Sequence, residues 1–186
     1  MHNHPFPISL AASWATQNQM EPCTDKINSW LYDEDSLTKK LENLYAKFHV
    51  QVNHQLIIDA STENLSGCFP HEKKILLREV FLYCDDVPVV FAQTEIPLST
   101  LDKQQTQLAN IGNQSLGKIL FQNTNMKRGP IEVAAFTENK PLNNLCQSLE
   151  QQSPNTLWAR RSQFFLEDKP LLVSELFLPA SGIYQI

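Results

Sequence analysis

The chain has 186 residues, of which 42% are hydrophobic and 19% are charged, and its formal net charge is -5 at pH 7. This composition is typical of one globular domain with a sizeable hydrophobic core. The acidic balance argues against nucleic-acid binding, which needs a basic face, and no apolar run approaches the roughly 20 residues of a membrane-spanning helix.

The N-terminal stretch and the cysteines indicate the cellular compartment. The stretch MHNHPFPISLAASWATQ contains neither Lys nor Arg and no continuous apolar segment, so it lacks the pattern of a secretory signal. The cysteines are widely spaced and form no C-x-x-C pair: Cys23, Cys68, Cys84 and Cys146. We therefore expect reduced thiols in a cytoplasmic protein.

Two helices and a strand are predicted in the first third of the chain. The segment TDKINSWLYDEDSLTKKLENLYAKF is predicted to be helical in two pieces, with Ser36 as the N-cap of the second. The segment FHVQVNHQLIID alternates and is predicted to be a strand. Its apolar side chains are expected on one face: Phe48, Val50, Val52, Leu56 and Ile58.

The histidines do not form a pattern typical of a metal site. His49 and His54 are five residues apart on the predicted strand, so the alternation places them on opposite faces. His2 and His4 lie in a terminus that we expect to be loose, and His71 is isolated in sequence. We predict neither a structural nor a catalytic metal, and no cofactor motif suggests otherwise.

The clearest hairpin follows. The segments KILLREVFLYC and VVFAQTEIPLS flank DDVP, whose composition is typical of a turn. In the first strand the period of two places Arg78 on one face and Glu79 on the other. The strand therefore carries one charge on each of two largely apolar faces.

The stretch GNQSLGKI nearly matches the phosphate-binding pattern G-x-x-x-x-G-K-[ST]. Ile119 stands where a hydroxyl is required, and the helical stretch LDKQQTQLANIG precedes it where a strand is required, so no nucleotide site is predicted. A helix beginning near Ser115 would direct free backbone N–H groups toward a ligand carboxylate. The alternative is a helix capped by Ser115 itself.

The last third is predicted to hold a strand, a helix and a second hairpin. GPIEVAAF is a short strand candidate, and PLNNLCQSLEQQ is predicted to be an amphipathic helix. RRSQFFLEDKPLLVSELFLPAS is predicted to be a hairpin that turns at EDKP. Strands grouped with strands, and helices between the groups, predict an α+β domain with a mostly antiparallel sheet.

A single carboxylate, Glu175, interrupts the apolar strand PLLVSELFLPAS. Burying it without a partner would cost several kcal/mol. Three interpretations are open: Glu175 leans to an edge of the sheet, it pairs with a buried cation, for which Arg78 is the candidate, or it faces, with Arg78, a cavity that binds an acidic, oxygen-rich small molecule. In the third case arginine binds a carboxylate through two hydrogen bonds, and glutamate binds a hydroxyl or ether oxygen.

Several blocks together resemble the bacterial chorismate pyruvate-lyases in order and approximate spacing: WLYDEDSLTKKLE, LLREVFL, IPLSTL, LGKILF, IEV and LWARRSQFFLEDKPLLVSELFLPASGIY. The resemblance implies conversion of chorismate to 4-hydroxybenzoate and pyruvate, toward ubiquinone, without metal or cofactor. It implies a single α+β domain, an antiparallel sheet flanked by helices with an enclosed ligand pocket. Residues 1–29 would be an N-terminal extension that packs on the domain of residues 30–186. The expected binding partners are the substrate chorismate and the product 4-hydroxybenzoate, and no nucleic acid is expected to bind. The protein is expected to be a monomer without an integral membrane segment.

The resemblance also implies roles for individual residues. Arg78 in LLREV matches the arginine that binds the ring carboxylate, and Leu116 in SLGKI matches the position whose backbone amide helps hold it. Glu175 in SELFLPAS matches the acid that meets the 4-oxygen of the ring. Leu37 in EDSLTKK lies where the family has another pocket residue, often methionine. Arg78 and Glu175 are the predicted catalytic residues, and all four are predicted to bind substrate.

Two departures and one alternative function accompany the resemblance. Gln93 occupies a position where the family has an arginine, which predicts weaker binding or different opening. The stretch 137–156 is longer than the family's connection, which predicts an extra surface helix, with an altered lid as the alternative. The family shares its fold with ligand-sensing domains of transcription regulators, so a non-catalytic domain that binds an aromatic carboxylate is the alternative function. Those regulators carry a helix-turn-helix domain first, and the stretch before Trp30 is too short for one, which favours the enzyme.

Overall fold

A computed structural model of the chain describes residues 13–19, 23–61, 65–101 and 106–185, and seven strands form one antiparallel sheet. The strands are β1 (Phe48–Asp59), β2 (Lys74–Cys84), β3 (Val87–Pro97), β4 (Met126–Arg128), β5 (Glu132–Thr137), β6 (Thr156–Leu166) and β7 (Lys169–Phe177). Neighbouring strands lie in the order β1-β2-β3-β7-β6-β4, and β5 also pairs with β6. The predicted α+β class with an antiparallel sheet is confirmed.

Both predicted hairpins are present, and each turns through two residues. Asp85 and Asp86 have φ values of 47° and 66°, and Glu167 and Asp168 have φ values of 50° and 65°. Two successive residues with positive φ are typical of type I′ turns, whose twist matches that of the flanking strands. The first turn is therefore shorter than the predicted DDVP, because Val87 already begins β3. Such tight turns fix the register of both hairpins.

Four α-helices lie on the two faces of this sheet: α1 (Asp25–Leu31), α2 (Leu37–Leu44), α3 (Leu116–Gln122) and α4 (Lys140–Ser148). Each begins after a polar N-cap whose side chain accepts a backbone N–H bond: Thr24, Ser36, Ser115 and Asn139. The predicted caps at Ser36 and Ser115 are confirmed. Short 3-10 helices occupy Gln17–Gln19 and Thr106–Asn110, the second where a longer helical stretch was predicted; residues 102–105 lie outside the described part.

Different helices pack on the two faces of the sheet. We call the face that carries Arg78, Ala92 and Glu175 the Arg78 face, and the opposite one, with Gln93, the Glu79 face. On the Arg78 face, the core contains side chains from α1, α2 and α3. On the Glu79 face, α4 packs its apolar residues against the sheet. The long stretch 137–156 therefore forms a covering helix, as predicted, and lies away from the Arg78 face.

A β-bulge divides β1. The register of its pairing with β2 shifts between Val52 and His54, so Asn53 is an additional residue at this point. Before the bulge Val50 lies opposite Leu82, and after it Leu56 lies opposite Leu77, on the other face of the sheet. The prediction that the apolar residues of β1 share one face is therefore wrong.

The bulge also changes the placement of the histidines. His49 stacks on Tyr83 with ring centroids 4.8 Å apart, and His54 lies opposite Glu79. Both are on the Glu79 face, so the prediction that they point to opposite faces is wrong. Among the described residues, no group of three or more His, Cys, Asp and Glu is placed to hold a metal ion.

The described N-terminal residues contact the sheet. Ala15 forms an isolated antiparallel bridge with Val133 of β5, and the ring of Trp14 lies edge-on to Phe136. Residues 1–12 and 20–22 are outside the described part, and the division of the chain at residues 29 and 30 stays a prediction. No helix in the described ranges is long and apolar enough to cross a membrane.

Candidate active site

A cavity lies between the Arg78 face of the sheet and the first turns of α2 and α3. Its lining includes all four residues to which the resemblance assigns a role: Leu37, Arg78, Leu116 and Glu175. Leu37 and Leu116 are the first residues of α2 and α3, whereas Arg78 and Glu175 come from β2 and β7. The structure thus brings the four together, and their roles stay predictions.

The two helices close over the cavity through a few polar contacts. Thr38 Oγ1 and Ser115 Oγ are 2.5 Å apart and hydrogen-bonded, and Lys118 Nζ lies 3.6 Å from Glu42 Oε1. A Cβ atom added to Gly117 would lie 3.1 Å from Thr38 Oγ1, so the absence of a side chain permits this close approach. Ser115 Oγ also accepts the Lys118 N–H at 3.3 Å, so the self-capped helix, which the sequence left as an alternative, is present.

Arg78 is held in place by the loop before α3. Its side chain is buried, at 2% exposure, and Nη2 donates to the carbonyl oxygens of Gly112 at 2.9 Å and Gln114 at 3.1 Å. Gly112 has a φ of 58°, which glycine adopts without strain. Arg78 Nε is buried and donates no hydrogen bond, and no carboxylate of the described residues is within ion-pair distance.

The guanidinium of Arg78 is therefore a buried cation that lacks a described counter-charge. Burial lowers the pKa of Arg78 to about 10, so the side chain remains positively charged at neutral pH. Two carbonyl oxygens compensate only part of the lost hydration, because a buried charge also requires an opposite charge. An anionic ligand in the cavity would supply it, through charge-assisted hydrogen bonds.

Glu175 has a protein partner, and that partner is not Arg78. Arg160 Nε donates to Glu175 Oε2 at 2.6 Å, between side chains that are 2% and 18% exposed. The Arg78–Glu175 ion pair, one of the interpretations that the sequence left open, is therefore not the one that the structure shows. The contact between Glu175 and the 4-oxygen of the ring, which the resemblance implies, falls to the other carboxylate oxygen, because Oε2 is already paired with Arg160. Its Oε1 accepts no hydrogen bond from the residues that the structure describes, and the side chain lines the cavity.

Arg160 was missed as a site residue because the sequence presents it only as half of a basic pair. The signal was available in the second hairpin. A two-residue turn at Glu167 and Asp168 sets Leu166 opposite Lys169, and counting outward from there sets Arg160 opposite Glu175. Residues opposite each other in an antiparallel pair share a face, so the ion pair follows from the register.

Arg128 is a third arginine at the cavity, and no sequence pattern distinguishes it as a site residue. Its Nε donates to Ser162 Oγ at 3.1 Å, and its Nη1 donates to the carbonyl oxygens of Glu34 at 2.9 Å and Asp33 at 3.4 Å. The guanidinium carbon lies 5.2 Å from the centre of the Phe164 ring. Arg128 also lines a groove on the outer surface, so it forms part of the wall between cavity and solvent.

Gln93, the departure from the family, faces away from this cavity. It is 1% exposed on the Glu79 face, and its Nε2 donates to Glu79 Oε1 at 3.0 Å. Its neighbours Ala92 and Thr94 are the residues of β3 that line the cavity. An effect of Gln93 on ligand binding would therefore act through the sheet and not by contact.

Comparison with known proteins identifies related chains. A family model described as "Chorismate lyase" matches residues 8–186. A protein of Psychromonas ingrahamii named "Probable chorismate pyruvate-lyase" is 49% identical over 178 residues, which are 96% of this chain and 96% of that one. Proteins with the same name from Shewanella sp. (strain ANA-3) and Pseudoalteromonas translucida are each 35% identical. They cover 95% and 96% of this chain, and the matches span 92% and 98% of their own lengths.

Solved structures of other proteins share the fold. PhnF from Mycobacterium smegmatis aligns with a TM-score of 0.56 at 14% identity, covering 81% of this chain and 65% of that one. A transcriptional regulator of the GntR family from Bacillus cereus aligns with a TM-score of 0.53 at 11% identity, covering 76% and 98%. At such identities the similarity concerns the fold alone.

Proposed function

The chain belongs to the chorismate lyase family, and on that premise we propose that it is a chorismate pyruvate-lyase. Such an enzyme removes the enolpyruvyl group of chorismate as pyruvate and leaves 4-hydroxybenzoate. The observation that carries the proposal is Arg78, a buried cation in the cavity with no carboxylate partner among the described residues. A carboxylate substrate is the ligand that such a site requires.

The chemistry of chorismate determines what the protein has to provide. The ring carries a carboxylate at C1, the enolpyruvyl ether at C3 and a hydroxyl at C4. The bond between C3 and the ether oxygen breaks, and its electron pair goes to that oxygen. C4 loses a proton and the enolpyruvyl methylene carbon gains one, so the ring becomes aromatic and pyruvate is released. Because aromatisation favours the products, orientation and charge stabilisation suffice, and neither a protein nucleophile nor an electron carrier is needed.

Arg78 and Leu116 are proposed to hold the ring carboxylate. Arg78 Nε and the N–H groups not used by Gly112 and Gln114 are the donors. The backbone N–H of Leu116 lies in the first turn of α3, where an N–H group has no partner within the helix. Leu37, the first residue of α2, would contact the ring from the opposite helix.

Glu175 is proposed to accept a hydrogen bond from the 4-hydroxyl group. Arg160 Nε donates to Oε2 at 2.6 Å and holds the carboxylate in a fixed orientation. Its Oε1 remains available on the cavity side. A hydrogen bond at the 4-oxygen would fix the ring so that the C4–H and C3–O bonds keep the orientation that elimination needs.

The finer parts of the proposal rest on the resemblance. They are 4-hydroxybenzoate as the product that begins the ubiquinone ring, a monomeric protein, and a cytoplasmic location. The residues that line the cavity support such a product, because Arg78 could bind its carboxylate and Glu175 its hydroxyl group.

The test is to mix purified protein with chorismate and to measure aromatic product and pyruvate by chromatography. The proposal predicts equimolar 4-hydroxybenzoate and pyruvate. Intact chorismate, together with tight binding of 4-hydroxybenzoate, would refute the lyase and indicate a binding domain, the alternative function.

A further inference from the structure

The Glu175 end of the cavity contains more positive charge than Glu175 alone balances. Arg128 and Arg160 both line the cavity beside it. Arg160 uses its Nε for the ion pair, and Arg128 forms no ion pair with any carboxylate of the described residues. Of the other acids nearby, Asp33 is bound to a lysine at 2.8 Å, and Glu34 and Asp35 are exposed and form no ion pair with either arginine. One arginine therefore lacks a close counter-charge.

Each of the two guanidinium groups is fixed on one side and free on the other. Arg160 Nη1 donates to the carbonyl oxygens of Trp30 at 3.0 Å and Asp33 at 2.8 Å. Arg128 Nη1 donates to those of Asp33 and Glu34. The Nη2 atoms of both arginines donate no hydrogen bond to the described part of the chain. Burial, and next the charge of Arg160, lower the pKa of Arg128, while the acids Glu175, Glu34 and Asp33 act in the opposite direction without forming an ion pair with it.

We propose that Arg128 and Arg160 form a second carboxylate subsite, which binds the carboxylate of the enolpyruvyl group. The inference rests on the proposed function and names a further part of the same site. In chorismate C3 is bonded to C4, so a substrate whose 4-hydroxyl meets Glu175 carries its enolpyruvyl group at this end of the cavity. Two fixed guanidinium groups with free N–H donors match a carboxylate in charge and geometry.

The subsite would also contribute to the reaction itself. When the C3–O bond breaks, negative charge develops on the enolpyruvyl oxygen, close to the carboxylate that Arg128 and Arg160 hold. Fixed cations stabilise such developing charge without reorganisation. Because 4-hydroxybenzoate has only the ring carboxylate, the subsite would bind substrate and not the aromatic product.

The experiment compares Arg128→Met with Lys127→Met, its neighbour on β4. Lys127 is exposed and its Nζ pairs with Asp168 outside the cavity, so the control removes the same charge without touching the site. Arg128→Met is expected to raise the KM for chorismate by about 10-fold or more, the effect of losing a hydrogen bond between charged groups. The Kd for 4-hydroxybenzoate, measured by calorimetry, is expected to stay within twofold, as are both constants of the control.

Two results would overturn the subsite. One is a KM for chorismate that Arg128→Met leaves within twofold of wild type. The other is an equal weakening of chorismate and 4-hydroxybenzoate, since Arg128 would then shape the cavity or its entrance. Unchanged 4-hydroxybenzoate binding also proves that the variant is folded; if Arg128→Met does not fold, Arg128→Lys is measured in the same way, with a smaller rise expected. If the wild type leaves chorismate intact, the lyase proposal fails separately, and the subsite is judged by the Kd of chorismate in the same proteins.

Discussion

Arg78 and Glu79 are neighbours on β2, and both are buried, at 2% and 0% exposure. On its face of the sheet Glu79 accepts hydrogen bonds from Gln93 Nε2 at 3.0 Å and Asn53 Nδ2 at 3.2 Å. On the other face Arg78 is bonded only to the carbonyl oxygens of Gly112 and Gln114, and its Nε has no partner among the described residues. Both oxygens of Glu79 are therefore hydrogen-bonded by the protein, whereas Arg78 Nε is not.

The hydrogen bonds around the two residues distinguish a structural charge from a functional one. Burial alone does not, because both residues are buried to a similar degree. The donors around Glu79 bond both of its carboxylate oxygens and reduce the cost of burying it, whereas Arg78 Nε has no hydrogen-bond partner among the described residues. Arg78 has no negatively charged partner among the described residues, and we infer that the substrate carboxylate binds to it.

The largest expected effect comes from Arg78→Met. Removing a buried cation that binds a carboxylate is expected to lower kcat/KM for chorismate by about 10²- to 10³-fold, mainly through KM, as for truncation of a buried charge pair. Steady-state kinetics measure it. A KM within twofold of wild type would show that Arg78 does not bind the substrate and that, like Glu79, it has only a structural role.

Glu175→Gln tests the other end of the cavity. The change keeps the shape but removes the charge that accepts the proposed 4-hydroxyl hydrogen bond, so kcat is expected to fall by about 10²-fold with KM within a few-fold. A single-turnover assay separates this effect from product release. If kcat were unchanged, Glu175 would serve only as the partner of Arg160.

Glu79→Gln tests the structural half of the comparison. Glu79 accepts bonds from two amide donors, and a glutamine would turn its own NH2 toward one of them. The free energy of unfolding, from urea titration, is expected to fall by about 1–3 kcal/mol, while kcat/KM stays within about threefold. A large loss of activity in a protein of normal stability would show that this face is functional.

The smallest effect is expected from Gln93→Arg, which introduces the residue that the resemblance leads us to expect at this position. Gln93 faces Glu79 and not the cavity, so the KM for chorismate is expected to remain within about twofold of wild type, as for contacts remote from a ligand. Gln93→Leu, which also keeps its distance from the cavity, is the control for loss of the amide. A tenfold fall in KM for the arginine variant alone would revive the view that this position guides the substrate.

Alternation, N-caps and turn residues are local signals, and they predicted the hairpins and the capped helices; the resemblance implied the convergence of Arg78, Leu116 and Glu175. The alternation failed at the bulge at Asn53: the apolar residues of β1 recur at even positions on both sides of it, so the pattern is that of an unbroken strand. The three-residue β4, which carries Arg128, is too short for any period to be recognised. These features depend on pairing with distant strands, which periodicity does not encode.

The sequence alone also did not predict that Arg78 lacks a carboxylate partner among the described residues. This lack depends on which acids the fold brings near, and the acid proposed for Arg78, Glu175, pairs instead with Arg160. A register count from the second turn predicts that pair, but nothing local predicts that the loop at Gly112 offers Arg78 carbonyl oxygens and no carboxylate.

The most direct test is the unfolding stability of wild type and Arg78→Met, each measured with and without 4-hydroxybenzoate. If Arg78 is a buried cation awaiting a carboxylate, the free variant should be at least as stable as the wild type, since replacing an unpaired buried charge by a hydrophobic side chain is neutral or stabilising. 4-hydroxybenzoate should then stabilise only the wild type. A free variant that is less stable by more than about 2 kcal/mol, beyond the usual scatter for such a replacement, or one that the ligand stabilises as strongly as wild type, would contradict the role proposed for Arg78.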